Sequence, residues 1–162
     1  MRRTKPQKRV PAPDAIYNDT AVAKFINRLM VKGKKSVAQL LLMEALEQLD
    51  GKTPEAPDGS REKPIDAFRR VLKRVAPKVK VKARRVGGAT YQVPMEVSEQ
   101  DGEALGSRWL IAAARKRAGR SMADKLANEM LDILKGQGAA LKKREETHRM
   151  AEANRAFAHF RF

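Results

Sequence analysis

The chain has 162 residues, with 35 Lys plus Arg against 19 Asp plus Glu, a formal charge of +16 at pH 7. Such a surplus repels itself unless a polyanion balances it, and nucleic acid is the simplest polyanion to do so. The longest uncharged run, Val86 to Met95, is about half the roughly 20 residues a spanning helix needs, so a membrane role is not expected. The absence of cysteine excludes disulfides, thiolate zinc sites and thiol nucleophiles.

Residues 1–17 read as a basic, extended N-terminal arm: Arg2, Arg3, Lys5, Lys8 and Arg9 come without an acid, and Pro6, Pro11 and Pro13 oppose a helix. The basic start leads into prolines rather than an apolar stretch, so no secretory signal is legible and the cytoplasm is the expected location. Residues 18–162 read as one mainly helical domain. A first helix from Asn18 carries Val22, Phe25, Ile26, Leu29 and Met30 on one stripe, with Gly33 as its stop. Ser36 caps a second, whose Val37, Leu40, Leu41, Ala45 and Leu49 face the core, widened by Leu42 and Leu46. Residues 52–63, with two prolines and a glycine, form an exposed loop, and Pro64 opens a third helix through Ile65, Phe68, Leu72 and Val75 that ends before Pro77.

Over residues 78–97 the period changes to two. Lys78, Lys80, Lys82 and Arg84 alternate with Val79, Val81 and Ala83. After Gly87-Gly88, Tyr91, Val93, Met95 and Val97 alternate with Thr90, Gln92, Pro94 and Glu96. This predicts a hairpin with one oily and one cationic face, in which Pro94 sits where an outer edge needs no donor. Leu105, Trp109, Ala112 and Ala113 outline a fourth helix ending near Arg115, Lys116 and Arg117. Ser121 with Asp124 opens a fifth (Met122, Leu126, Met130, Leu131, Leu134), stopped by Gly136. A charged sixth runs from Gly138 with Glu145 and Arg149 as an i,i+4 pair. The expected fold is a six-helix, bundle-like body with a protruding two-stranded β-hairpin and the N-terminal arm.

Nine cations without an acid between residues 69 and 85 (Arg69, Arg70, Lys73, Arg74, Lys78, Lys80, Lys82, Arg84 and Arg85) form the densest functional signal, since a merely solvated face interleaves both signs. Such a ribbon can follow the phosphates of a groove. Further clusters, Lys32, Lys34 and Lys35 around Gly33 and Arg115, Lys116, Arg117 and Arg120, lie at helix junctions, which suits a folded, branched RNA better than a duplex groove. The sixth helix adds Lys142 and Lys143. Gly87 and Gly88 open the hairpin tip to close backbone approach, although a tight turn alone also explains both.

Enzyme readings fare poorly. Around Gly33-Lys34 a phosphate loop would need glycine at Arg28 and Ser or Thr at Lys35, and it would follow a strand rather than a helix. His148 and His159 stand eleven apart without a second ligand at i+4, which favours surface or RNA-facing histidines over a metal site. Glu96, Glu99, Asp101 and Glu103 complement a helix N-terminus, and Trp109 reads as core rather than a stacking platform. Neither a cofactor nor a small-molecule substrate is expected. A nucleoid protein binding duplex DNA and an RNA-modifying enzyme remain the alternatives.

Three strings carry a resemblance: GlyLysLysSer at 33–36, ArgArgValGlyGlyAlaThrTyrGlnValPro at 84–94, and LysLysArgGluGluThrHisArgMetAlaGluAlaAsnArgAlaPheAlaHis at 142–159. With SerArgTrpLeu at 107–110 and SerMetAlaAspLysLeuAlaAsnGlu at 121–129, they make nearly the whole chain similar to the family of small-subunit ribosomal protein seven, in its bacterial form. The resemblance implies a structural constituent of the 30S subunit that binds the 3′ major domain of 16S rRNA, nucleates assembly of the head, and lies near the exit-site tRNA and mRNA beside ribosomal proteins nine and eleven. It makes Lys34, Lys35, the ribbon cations and the arm candidate rRNA contacts. Arg84, Arg85, Val86, Gly87 and Gly88, with the stretch from Arg149 to Arg155, become candidate exit-site contacts. The loop at 54–63 is longer than the usual bacterial pattern.

Overall fold

The computed structural model describes residues 11–53 and 62–160. The arm residues Arg2, Arg3, Lys5, Lys8 and Arg9, most of the 52–63 loop, and Phe162 lie outside the described residues. The order is α1 (Thr20–Leu29), α2 (Lys35–Leu49), α3 (Pro64–Val75), β1 (Val79–Val86), β2 (Ala89–Glu96), α4 (Glu99–Lys116), α5 (Met122–Leu134), α6 (Ala139–Ala153) and a short 3₁₀ helix, Arg155–Phe160. Six α-helices and a two-stranded antiparallel ribbon are as expected.

Asp19 starts α1 by accepting from the Ala21 amide at 2.7 Å, satisfying one of the donors a helix start leaves orphaned. The stripe Val22, Phe25, Ile26 and Leu29 is buried, and Phe25 meets Phe68 of α3 edge-on with centroids 5.2 Å apart, a geometry worth about 0.5–1.5 kcal/mol beyond burial. The helix ends before the expected stop. Met30 is already extended (ψ 136°), because the stripe is exhausted at Leu29, and Gly33 serves instead in a turn with Lys32.

In α2 two expectations are corrected. Ser36 lies inside the helix, and its N-cap is Lys34, without a side-chain cap. The buried stripe is Ala38, Leu42, Ala45, Leu46 and Leu49, whereas Val37 and Leu40 are 49% and 63% exposed. The segment from Val37 to Met43 is apolar on almost every side, so its periodicity left the helix's rotation open. The same happens in α4. Its N-cap is Ser98, and its buried face is Gly102, Gly106, Leu110, Ile111 and Ala114, while Ala112 is exposed and Trp109 only partly buried. Glycines carry this face because α4 lies against the end of α3: a Cβ on Gly102 would stand 2.8 Å from the Pro77 carbonyl oxygen, and one on Gly106 3.0 Å from the Ala76 nitrogen.

α5 packs against α2, α3, α4 and α6 and brings Leu126, Met130 and Ile133 to the centre. Both halves of its predicted capping box are present: Ser121 Oγ accepts from the Asp124 amide at 3.0 Å, and Asp124 accepts from the Ser121 amide at 3.3 Å. The Ser121 bonds, with Gln48 at 2.8 Å, hold the Asp124 carboxyl below its ordinary range. At the other end Gly136 (φ 84°) allows a Schellman closure, with the Gly136 amide donating to Ile133 and the Gln137 amide to Asp132. In α6, Glu145 lies 3.8 Å from Arg144 rather than forming the expected pair with Arg149, and Lys143 pairs with Glu146 at 2.8 Å.

Candidate nucleic-acid interface

The ribbon is the most distinctive element. Its turn residues Gly87 (φ 58°) and Gly88 (φ 87°) both take the left-handed conformation that a two-residue hairpin of this hand demands. That two-residue turn fixes the register, pairing Lys80 with Met95, Lys82 with Val93 and Arg84 with Tyr91. Opposed residues share a face, so the expectation of one oily and one cationic face is overturned. Each cation of the row shares its face with an apolar residue of the other strand, while Val79, Val81 and Ala83 oppose Glu96, Pro94 and Gln92.

Val93 is fully buried, and Tyr91 lies between Phe157 and Phe160 of the 3₁₀ helix at centroid distances of 5.2 and 5.1 Å. The C-terminal segment therefore covers part of the lysine-bearing face, and long cationic stems can lie over apolar surface while their heads reach water. Lys82 and Arg85 are exposed, and nothing lies within 4 Å of a Cβ placed on Gly87 or Gly88.

The base of the ribbon is clamped by a residue expected at the surface. His148 of α6 accepts from the Lys78 backbone amide through Nε2 at 3.2 Å. Burial, with Arg144 and Lys78 nearby, pushes its pKa below the ordinary histidine value, favouring the neutral ring that can accept. The Val97 amide donates to the Lys78 carbonyl at 2.9 Å, closing the ladder at the boundary expected for the hairpin.

The cations of the 69–85 run divide by chemistry. Arg69 binds Asp19 at 2.7 Å and Asp66 at 3.3 Å, and Arg70 binds Glu62 at 2.6 Å. Arg74 caps the end of α5, donating to the Ile133 and Leu134 carbonyls at 3.2 and 2.7 Å. Lys73, Lys78, Lys82 and Arg85 remain on the surface. Arg117, in the cluster after α4, is likewise engaged within the fold. It donates to fully buried Glu129 at 2.7 Å and to Asp132, while Arg115, Lys116 and Arg120 stay exposed.

Lys32 is a non-glycine residue with positive φ (53°), a strained conformation that together with Gly33 turns the chain so that Lys32, Lys34 and Lys35 are all exposed at the entry to α2. Lys142 and Lys143 are exposed near the start of α6, as are Arg149 and Arg155 farther along. Sequence reasoning missed the inward role of Glu129, whose other oxygen accepts from the Ala140 amide at 2.9 Å, and the ring cluster around Tyr91. A lone glutamate among apolar neighbours was the available signal for the first.

No helix among the described residues is long and apolar enough to cross a membrane. The profile of the family described as ribosomal protein S7p/S5e matches residues 1–155. The chain is similar to the small ribosomal subunit protein uS7 of Acaryochloris marina, 51% identical over 161 residues covering 99% of each chain. It is 49% identical to that of Treponema pallidum, strain Nichols, over 161 residues and 99% of each. To that of Kosmotoga olearia it is 49% identical over 162 residues and the full length of both. The chain belongs to the ribosomal protein S7p/S5e family, whose members are non-enzymatic structural proteins of the small ribosomal subunit.

Proposed function

We propose that the chain binds the 3′ major domain of 16S rRNA, nucleates assembly of the subunit head, and reaches the exit-site tRNA and mRNA through its ribbon tip, with ribosomal proteins nine and eleven as neighbours. The observation that carries this reading is the exposed cations of the predicted clusters that are not engaged by acids or helix-end carbonyls of other elements: Lys32, Lys34, Lys35, Lys73, Lys78, Lys82, Arg115, Lys116, Arg120, Lys142 and Lys143. These cations occupy several junctions and one ribbon, a distribution suited to a branched RNA. The N-terminal arm adds Arg2, Arg3, Lys5, Lys8 and Arg9 as further candidate contacts.

The ribbon carries two chemistries. Its stem, Lys78 to Lys82, places a cation at every second residue and holds rRNA phosphates. Its tip, Arg84 to Gly88, ends in two glycines open to close approach and serves the exit site together with Arg149 and Arg155. Reconstituted subunits test the division. Replacing Lys78, Lys80 and Lys82 with Ala weakens rRNA binding by a factor that shrinks as salt rises. Trimming Val86 to Ala89 to a two-residue glycine turn leaves head assembly intact and changes dissociation of deacylated tRNA. A trimmed tip that blocks assembly and leaves tRNA dissociation unchanged would refute it.

A further inference from the structure

We propose that the cleft between α4 and α6 seats one unpaired nucleobase of the bound RNA against the ring of Trp109, with Lys116 and Lys143 taking the flanking phosphates. This rests on the RNA-binding reading above and names a subsite within it. The cleft has a volume of about 250 Å³ and is walled by Trp109, Ala112 and Lys116 from α4 and by Ala139, Ala140 and Lys143 from α6. Alanines on both helices leave room where larger side chains would have closed the groove. Trp109 packs on the core with part of its surface and remains only partly buried. Among the described residues, none accepts a hydrogen bond from its indole N–H.

Both lysines are exposed at the rim. The one ion pair there, Lys143 with Glu146 at 2.8 Å, is about half exposed on each side and readily exchanged for a phosphate. Charge selects the occupant. An apolar side chain from a protein would fill the groove but leave this rim and neighbouring Arg115 and Lys142 facing no counter-charge, whereas a nucleotide presents a flat apolar ring and phosphates together.

Trp109 is the only tryptophan of the chain, so intrinsic emission reports this ring alone. The test titrates the full chain with a transcript of the 3′ major domain of small-subunit rRNA, following emission, iodide access and affinity. Binding should quench the emission and shield the ring from iodide. Trp109→Leu should weaken affinity about tenfold, the size of one stacked base, while Trp109→Phe stays within about threefold. Lys116→Ala should weaken binding and lower its salt slope by about one.

Should the Leu variant fail to fold, emission of the unaltered chain with the Phe and Lys116→Ala variants decides the matter. Tight RNA binding with undiminished emission, or a folded Leu variant of unchanged affinity, overturns the subsite and leaves the RNA-binding reading standing. Emission that responds only to an added partner protein assigns the cleft to protein and also overturns it. Failure of the transcript to bind at all overturns the broader reading.

Discussion

Replacing Glu129 with Ala removes a carboxylate that ties the middle of α5 to the end of α4 and the start of α6. The side chain is fully buried, one oxygen accepting from Arg117 Nε at 2.7 Å after α4 and the other from the Ala140 amide at 2.9 Å in the first turn of α6. Deleting one partner of a buried pair costs about 3–5 kcal/mol when the other charge is left uncompensated; Arg117 is 29% exposed and keeps Asp132, so the loss here lies at the low end of that range. The orphaned Ala140 amide contributes to that cost. At roughly 2–4 °C per kcal/mol for a chain of this size, a loss near 3 kcal/mol lowers Tm by about 6–12 °C.

Glu129→Gln keeps an acceptor for Ala140 and should cost only about 1–3 kcal/mol. In thermal and urea melts Arg117→Ala should also destabilise, and the double variant should lose clearly less than the sum, with a coupling of about 1–3 kcal/mol. A fall in Tm of under about 2 °C for Glu129→Ala, or strict additivity with Arg117→Ala, would refute this role.

His148 has its folded pKa depressed, so the stability it contributes is present above its ordinary pKa near 6.5 and lost as pH falls through the lower folded value. Ring proton shifts of His148 followed by NMR should titrate below pH 6.5, and amide exchange at Lys78 should accelerate over the same window; titration above 6.5 would contradict the clamp. Gly106→Ala sets a Cβ 3.0 Å from the Ala76 nitrogen and should destabilise by about 1–3 kcal/mol in urea melts, whereas a neutral result would mean that α4 can slide on the end of α3. Affinity for the rRNA transcript should fall about 10³ to 10⁵ between 50 and 200 mM salt if roughly 6–10 phosphates are neutralised, and a flat log–log plot would remove the electrostatic basis of binding.

The helices whose sequence is one-sided were legible in their rotation as well as their position. Val22, Phe25, Ile26 and Leu29 stand opposite Lys24, Asn27 and Arg28 and all face the core, and Ser121 with Asp124 gave both start and cap of α5. In α2 the apolar residues crowd every side, and only packing against α5 decides that Leu42 is buried and Leu40 is not. Gly102 and Gly106 carry no side chain for a hydropathy reading to weigh, yet they define where α4 touches α3. In the ribbon, alternation within each strand was legible, but which faces coincide depends on the parity of the turn. The pairing of Val86 with Ala89 sets every opposed pair, and with it the coincidence of Lys82 with Val93. For the candidate interface, the clusters were visible as charge, but the intramolecular engagement of Arg69, Arg70, Arg74 and Arg117 depends on Asp19, Glu62, the α5 carbonyls and Glu129, most of them far away in sequence.

That engagement follows a chemical division between the two cations. A guanidinium presents five donors in a rigid plane and is weakly hydrated, so it suits carboxylates and helix-end carbonyls at the edge of a core. Arg69, Arg70, Arg74, Arg117 and Arg144 are all used this way, the last donating to the Arg74 carbonyl and so tying α6 to α3. The ammonium groups of Lys32, Lys34, Lys35, Lys73, Lys78, Lys82 and Lys142 sit on exposed residues, where a strongly hydrated point charge on a flexible stem can meet phosphates whose positions vary. The 35 Lys plus Arg therefore overstate the cations that face RNA at the folded body, because several are matched by acids within the fold, a matching the net +16 already includes. Removing an arginine paired within the fold should reduce rRNA affinity through lost structure, with the salt slope unchanged, whereas removing an exposed lysine should lower the slope by about one and leave the melt unaltered.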